Sequence, residues 1–446
     1  MSTSQEASQV KQESIQRKKE VAEELQELLG ILPESLEDFE RAEEMIREGV
    51  LRIGRRMLEE WGERATAGTQ CPCCSKCGEA LRHKGYAPCT LVRTLGPIHV
   101  RRVRYRCEAC GQDAYPQDER LRFDGRGVTW RMAKVISRLG AQLPFEQAQH
   151  NLYEDYQVRV CKQMMQQVCE AAGGMVVRQE DEARNRLLKL PVEKRPAALP
   201  TSKIKPEMAC ILADGTMIHT EGDWHEIRVG SVVAYGAEKE ILAAHSQARF
   251  LSCVDFGHHL VQMSRRLGCH QAAKLAFQGD GARWLWQLAE EHFPQAVQIL
   301  DWYHLEEHVH QASASVHGEG TAKAQRWAKS RLKELWEGRA AATLRNIRHL
   351  RKQLRSSAKR TSLAQLATYL ENNRQRINYP KYVEAGFPVG SGRVEGACKT
   401  LVGGRCKQSG MRNWTREGAE GVLRMRSALQ DRSYNDLWHH HLKIAA

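Results

Sequence analysis

Three acidic residues sit in local settings suited to phosphoryl chemistry: Asp214 in ILADGTMI, Asp280 in LAFQGDGARW and Glu395 in GSGRVEGACK. The first two each end an apolar run that reads as a buried strand (Cys210-Ile211-Leu212-Ala213 and Leu275-Ala276-Phe277), and each is followed by a Gly turn. Glu395 opens a predicted helix with Ser391 as its N-cap, and a helix N-terminus tolerates a carboxylate well. Carboxylates converging from strand ends and a helix start can hold two hard divalent cations, Mg2+ or Mn2+. Such ions prefer oxygen ligands and keep positions open for a substrate phosphate. A pair of them activates a nucleophile and stabilises the leaving oxygen of an in-line displacement. The implied chemistry is polynucleotidyl transfer. Taken singly, an Asp-Gly pair at a strand end is more often a turn former.

The elements that must position these residues are legible as apolar periodicity. Strands are expected near 208–218, 226–235, 248–255, 274–279 and 297–301. A helix-like stretch with Trp284, Trp286 and Leu288 follows Asp280, and Asp301-Trp302-Tyr303-His304 follows the last strand. Residues 317–380 break this rhythm: Leu344, Ile347, Leu350 and Leu354 recur at helical spacing, which predicts an all-helical insertion between Asp280 and Glu395. Trp327 and Trp336 there read as helix packing or as wedges against DNA.

The series DGTMIHT, GDGARW, LDWYHLEEH, SGRVEG and RCKQSGMRNW resembles the RNase H-like DDE transposases of the Mutator-like superfamily. It looks most like the ISKra-type group of bacterial insertion-sequence transposases, over about residues 70–435. The resemblance implies a multidomain α/β protein: an RNase H-like mixed sheet with flanking helices and an all-α insertion, preceded by a zinc ribbon and a helix-turn-helix-like helical domain. It implies that Asp214, Asp280 and Glu395 hold two Mg2+ or Mn2+ ions for cleavage at insertion-sequence ends and 3′-hydroxyl strand transfer into target DNA. Asp301 and His304 would support that site, and Arg405 and Lys407 would contact DNA. A homodimer or larger assembly would synapse two ends. Two other classes remain open: a non-catalytic DNA-binding regulator or domesticated transposase, and a stand-alone RNase H-like metal nuclease.

Cysteines carry a second signal. Cys74-Ser-Lys-Cys77-Gly and Cys107-Glu-Ala-Cys110-Gly are two CxxCG knuckles, and four thiolates at such spacing make a tetrahedral structural zinc site. Cys71 and Cys73 precede the first knuckle and offer another CxxC; Cys74 and Cys77 are favoured because Gly78 mirrors Gly111. Between the knuckles, Ile98, Val100 and Val103 with the arginines read as a basic β-hairpin, completing a ribbon for one zinc ion.

Net charge is +13 over 446 residues, which suits a polyanionic partner such as DNA. Residues 321–360 hold thirteen Lys/Arg against two Glu, with Arg348 and Arg351 as expected backbone contacts. Helices at Thr129–Leu139 and Phe145–Tyr153, and a third over Val158–Ala171 ending at Gly173-Gly174, resemble a helix-turn-helix in which Arg159, Lys162 and Gln163 face a groove. Another helix is expected from Ser35, with Phe39, Ala42, Ile46, Val50, Ile53, Met57 and Trp61 at helical spacing, after a polar N-terminus that reads as disordered or a frayed helix. No apolar run approaches a membrane span and the N-terminus lacks a signal-peptide core, so a cytoplasmic, nucleoid-associated protein is expected. The expected order is an N-terminal helical region (1–66), zinc ribbon (67–120), helix-turn-helix-like domain (121–190), linker (191–206), core (207–316), helical insertion (317–380), and the core's second part with C-terminal helices (381–446).

Overall fold

Apolar runs and helical stripes build two units, Met1–Ala172 with Trp438–Ala446, and Gly173–Leu437. The computed structural model describes residues 3–30, 39–64, 73–390, 392–408, 411 and 413–440. In the first unit the polar N-terminus, expected to be disordered or frayed, is the helix α1 (Thr3–Gly30). It packs on α2 (Phe39–Arg64). Two features allow this. Gly49 lies under Leu28, where a Cβ would approach the Leu28 side chain to 2.6 Å, and Glu24 pairs with Arg56 at 2.8 Å. The heptad-like stripe of Phe39, Ile46, Val50, Met57 and Trp61 is exposed, because α2 turns its Leu58 and Gly62 side to the sheet that follows.

That sheet is antiparallel, with β1 (Arg82–Arg93), β2 (Gly96–Arg106) and β3 (Asp113–Ala114) in sequence order. Ile98 and Val100 share one face with Leu91 and Leu121, and Val103 is buried in a separate cluster with Leu81, Tyr105 and two of the cysteines. Next come α3 (Trp130–Gln142), capped by the Thr129 side chain, and α4 (Phe145–Tyr156), ended by Gln157 at φ 53°. The third helix departs from expectation. Residues 158–161 are non-helical, and α5 runs from Lys162 through Gly173-Gly174 to Leu188, crossing the boundary between the units. The glycines do not stop it. A Cβ on Gly173 would lie 1.9 Å from the Gly421 carbonyl oxygen, so the missing side chain serves a close helix crossing.

The second unit is mixed α/β. Five strands, β4 (Met208–Thr220), β5 (Asp223–Tyr235), β6 (Ile241–Arg249), β7 (Lys274–Gly279) and β8 (Val297–Leu300), lie in the order β6-β5-β4-β7-β8. β5 is antiparallel to β4 and β6, whereas β7 runs parallel to both β4 and β8. Two expectations fail here. The strand through Asp214 does not end in a Gly turn: Gly215 stays in β4, paired with Arg228, and the turn falls at Glu221-Gly222. The third strand, expected at 248–255, ends at Arg249, because Ser252 caps α6 (Cys253–Arg266), its Oγ accepting from the Asp255 N–H at 3.1 Å.

Helices α7 (Arg283–His292), α8 (Trp302–His317), α9 (Ala322–Trp336), α10 (Ala340–Gln353), α11 (Ser357–Asn372) and α12 (Tyr379–Glu384) follow. Then come α13 (Gly392–Ala397), a π-helical turn at Cys398–Gly403, and α14 (Arg416–Gln430). Among the described residues, no helix is long and apolar enough to cross a membrane.

A buried ion network ties α5, β6 and α14 together. Arg249 donates to Glu420 at 2.8 Å and to Asp181 at 2.6 Å, while Arg424 donates to Glu180 at 3.0 Å. Burial alone would push the Glu180 carboxyl up, but Arg424 and Arg266 hold it well below the usual carboxylate range. Its contribution is therefore full above the ordinary glutamate range and is lost as pH falls through the depressed folded value. Glu180→Gln leaves Arg424 without its buried counter-charge and is expected to cost about 3–5 kcal/mol. Denaturant unfolding at neutral pH measures this; a change below about 1 kcal/mol would mean that the network contributes little.

Candidate active site and metal centre

The parallel register brings two of the three acidic residues side by side. Leu212 pairs with Gln278 across β4 and β7, and Gly279 pairs with Leu300 across β7 and β8. Continuing that register sets Asp214, Asp280 and Asp301 in one row beyond the C-terminal ends of β7 and β8. In sheets with parallel strands, ligands gather at such ends. Asp214 and Asp280 are half-buried. The Gly215 N–H donates to Asp214 Oδ1 at 2.7 Å, and the Ala282 N–H to Asp280 Oδ1 at 2.8 Å. Burial pushes the Asp214 carboxyl above its ordinary range; the Gly215 N–H opposes this and the nearby Asp280 charge adds to it. A bound cation would relieve that repulsion.

Glu395 stands in the first turn of α13, which packs against β4, β5 and β6. Ser391, expected to cap this helix, lies outside the described residues. Lys399 donates to Glu395 Oε1 at 2.5 Å, and this bond engages one of the two carboxylate oxygens. Ligand atoms of Asp214, Asp280 and Glu395 do not all come within 4.8 Å of one another; among the described residues only four cysteines form such a group. The register sets the two aspartates in neighbouring positions, but the three carboxylates are not gathered around one point as the cysteines are.

Two neighbours escaped the sequence reading. The Cys398 thiol, one helical turn after Glu395, donates to Asp214 Oδ2 at 3.4 Å, and burial pushes this thiol well up. Its i+3 spacing from Glu395 was the available signal. The Tyr369 hydroxyl donates to the Asp280 carbonyl oxygen at 2.7 Å, from a helix 89 positions away with no local signal. Gly281, at φ 104°, makes the turn beneath that ring.

The DxxH spacing has a structural explanation. Asp301 is fully buried and caps α8, its Oδ1 accepting from the His304 N–H at 2.8 Å. The His304 Nδ1 stands 3.7 Å from Glu307.

The cysteine knuckles form the tighter site. Cys74 and Cys110 sulfurs lie 3.6 Å apart, Cys77 and Cys107 3.5 Å, and Cys77 and Cys110 3.7 Å. A tetrahedron with Zn–S bonds of about 2.3 Å has an edge near 3.8 Å, so the four thiols are spaced for a structural zinc ion. Both knuckles share one geometry: Gly78 and Gly111, at φ 78° and 72°, return their N–H groups to the Cys74 and Cys107 carbonyls. Backbone N–H groups of Lys76 and Cys77 pull the Cys74 thiol down to about 6, while Cys77 is raised to about 12 beside the other sulfurs. Mutual repulsion of thiolates is what a dication offsets. Cys73 is exposed and outside this cluster, and Cys71 falls outside the described residues.

The expected DNA contacts divide. Arg405 is fully buried with its guanidinium over the Trp414 ring at 4.8 Å, so it cannot meet DNA. Lys407 is exposed and donates to Thr216, two residues beyond Asp214, at 2.5 Å. Arg159 and Lys162 are exposed, but Arg159 lies before α5 and stacks on Tyr153 at 4.6 Å. Arg348 is paired with Glu371 at 3.0 Å. Trp336 packs edge-on against Trp302, with centroids 4.8 Å apart, and Trp327 lies beside His317; neither ring is set as a wedge.

These features define a two-unit protein with a tetrathiol centre and a row of carboxylates across β4, β7 and β8. Residues 263–435 match the model of an uncharacterised protein family (UPF0236). That stretch includes Asp280, Asp301, His304 and Glu395 and excludes Asp214 and the four cysteines. No curated protein matches the chain.

Proposed function

We propose that the protein is a DDE-type DNA transposase with an RNase H-like core, cleaving DNA at the ends of an insertion sequence and joining the freed 3′-hydroxyl to target DNA. One observation carries the reading: the register that aligns Asp214, inside β4, with Asp280 just past the end of the parallel strand β7, with Glu395 on a later helix packed on the same sheet. In this reading Asp214 and Asp280 supply oxygen ligands to divalent cations, and Glu395 completes the set. Bound there, two Mg2+ or Mn2+ ions would activate water and stabilise the departing 3′ oxygen. Cys398 and the Gly215 N–H orient Asp214 through its two oxygens, and Tyr369 steadies the turn that presents Asp280. Asp301 positions α8 so that His304 faces the row.

A zinc ion in the four-cysteine centre would hold the basic β1–β2 hairpin for recognition of DNA ends. The exposed apolar stripe on α2 supports self-association of the kind that pairs two ends. A cytoplasmic, nucleoid-associated location follows from such a role. Incubating the full-length protein with Mg2+ and DNA carrying the sequences that flank its coding region tests the reading. End-specific cleavage and joining are the expected result. Cleavage without end preference would make the protein a nuclease, and end binding without cleavage a regulator.

A further inference from the structure

The helices between Asp280 and Glu395 contain a groove whose chemistry differs from the rest of the basic surface. It lies between the last turn of α10 and one face of α11 and has a volume of about 620 Å3. Arg351, Arg360, Thr361, Gln365, Thr368 and Tyr369 line it, and no carboxylate does. Among the described residues, neither Arg351 nor Arg360 is ion-paired with an acid. Arg345 and Arg355 share that state, but they do not line the groove, whereas Arg348 is paired with Glu371, Arg331 with Glu334 and Arg339 with Glu337. Two unpaired guanidiniums in a concavity free of acids make an anion site, and the hydroxyl and amide groups between them add donors.

Size and position narrow the anion. The volume suits a ligand of one or two nucleotides. A duplex, whose major groove alone is about 12 Å wide, does not enter it. Tyr369 forms part of the wall and also donates to the Asp280 carbonyl at 2.7 Å, so the groove adjoins the carboxylate row. The Tyr369 ring is held by His308, with centroids 4.0 Å apart, which makes it a fixed apolar wall for a base between flanking phosphate sites.

We infer that this groove seats one or two nucleotides of an unpaired DNA strand, with phosphates on Arg351 and Arg360 and the strand continuing toward Asp280. The inference rests on the DNA-processing reading for the identity of the polymer, but its test requires no cleavage.

Fluorescence anisotropy with full-length protein and a labelled short oligothymidylate, without added Mg2+, measures the binding. The double variant Arg351→Gln/Arg360→Gln should weaken binding at least about tenfold. Its log affinity against log salt should become shallower by roughly 1.4, two phosphates at about 0.7 each on a single strand. Gln keeps helix propensity close to that of Arg, and circular dichroism checks the fold. Arg339→Gln, a charge deletion outside the groove, should change both quantities by less than half as much. The inference is overturned if the double variant binds like the parent, if Arg339→Gln loses as much, or if duplex DNA suffers the same loss as the single strand. A protein inactive in cleavage that still loses single-strand binding in the double variant would refute the transposase reading and keep the groove. An active protein whose double variant binds normally would do the reverse.

Discussion

Asp280→Asn is expected to abolish strand cleavage and joining, by about a thousandfold or more, while leaving end binding within a few-fold of the parent. The substitution keeps the side-chain shape and an acceptor for the Ala282 N–H, whose bond to Oδ1 is 2.8 Å, so the turn should survive. What disappears is a negative oxygen ligand at the end of β7. Asp214→Asn and Glu395→Gln should behave alike, and Mn2+ should replace Mg2+ in the parent because both accept oxygen donors. Asp301 supplies the contrast. It stands in the same row but is fully buried as the cap of α8, so Asp301→Asn, which still accepts from the His304 N–H, should retain activity within about tenfold. Asp301→Ala should instead lower stability by about 1 kcal/mol. Cleavage assays on end-containing DNA, paired with thermal unfolding, separate these outcomes. Full turnover in any one of the three carboxylate variants would remove that residue from the site. Loss of all activity in Asp301→Asn with unchanged stability would make Asp301 a ligand.

Cys74→Ser and Cys107→Ser should each take zinc from about one ion per chain to none, as measured by elemental analysis of the purified protein. The ribbon has little else to close its two knuckles: its buried cluster consists of Leu81, Val103 and Tyr105 with Cys74 and Cys107 themselves, and the ion pairs of Arg82 and Lys84 with Glu108 are exposed. Local unfolding of residues 73–114 and loss of end recognition should follow, read by limited proteolysis and by DNA binding. Cys73→Ser should change neither, since Cys73 lies exposed outside the cluster. Acid should release the metal, because zinc requires thiolates and these take up protons as pH falls. Zinc retained in both Cys74→Ser and Cys107→Ser would move the site to other residues.

Much of the local chemistry was legible before any fold was known. The knuckles, the strands bearing Leu212 and Phe277, and the turn after Asp280 depend on residues within a few positions of one another, and side-chain spacing encodes such short-range geometry directly. Where the reading failed, a distant partner decided the outcome. Gly215 looked like a turn residue, yet β5 pairs with it and carries the strand on to Thr220. Gly173-Gly174 looked like a helix end, yet the backbone at Gly421 occupies the space that a side chain would need. Arg405 looked like a DNA contact, yet Trp414 covers it.

The same division runs through the candidate site. Amino-acid order alone established which residues have hard oxygens or thiols to offer and on what kind of element each lies. Tertiary structure decided that β4 and β7 are neighbours in a register that aligns Asp214 with Asp280, that Cys398 and Lys399 engage Asp214 and Glu395, and that Arg351 and Arg360 are unpaired while Arg348 is not. Periodicity and capping arise from contacts a few residues apart and are written in spacing. Strand register, burial and charge pairing arise between segments tens to hundreds of residues apart, and only the folded chain brings those segments together.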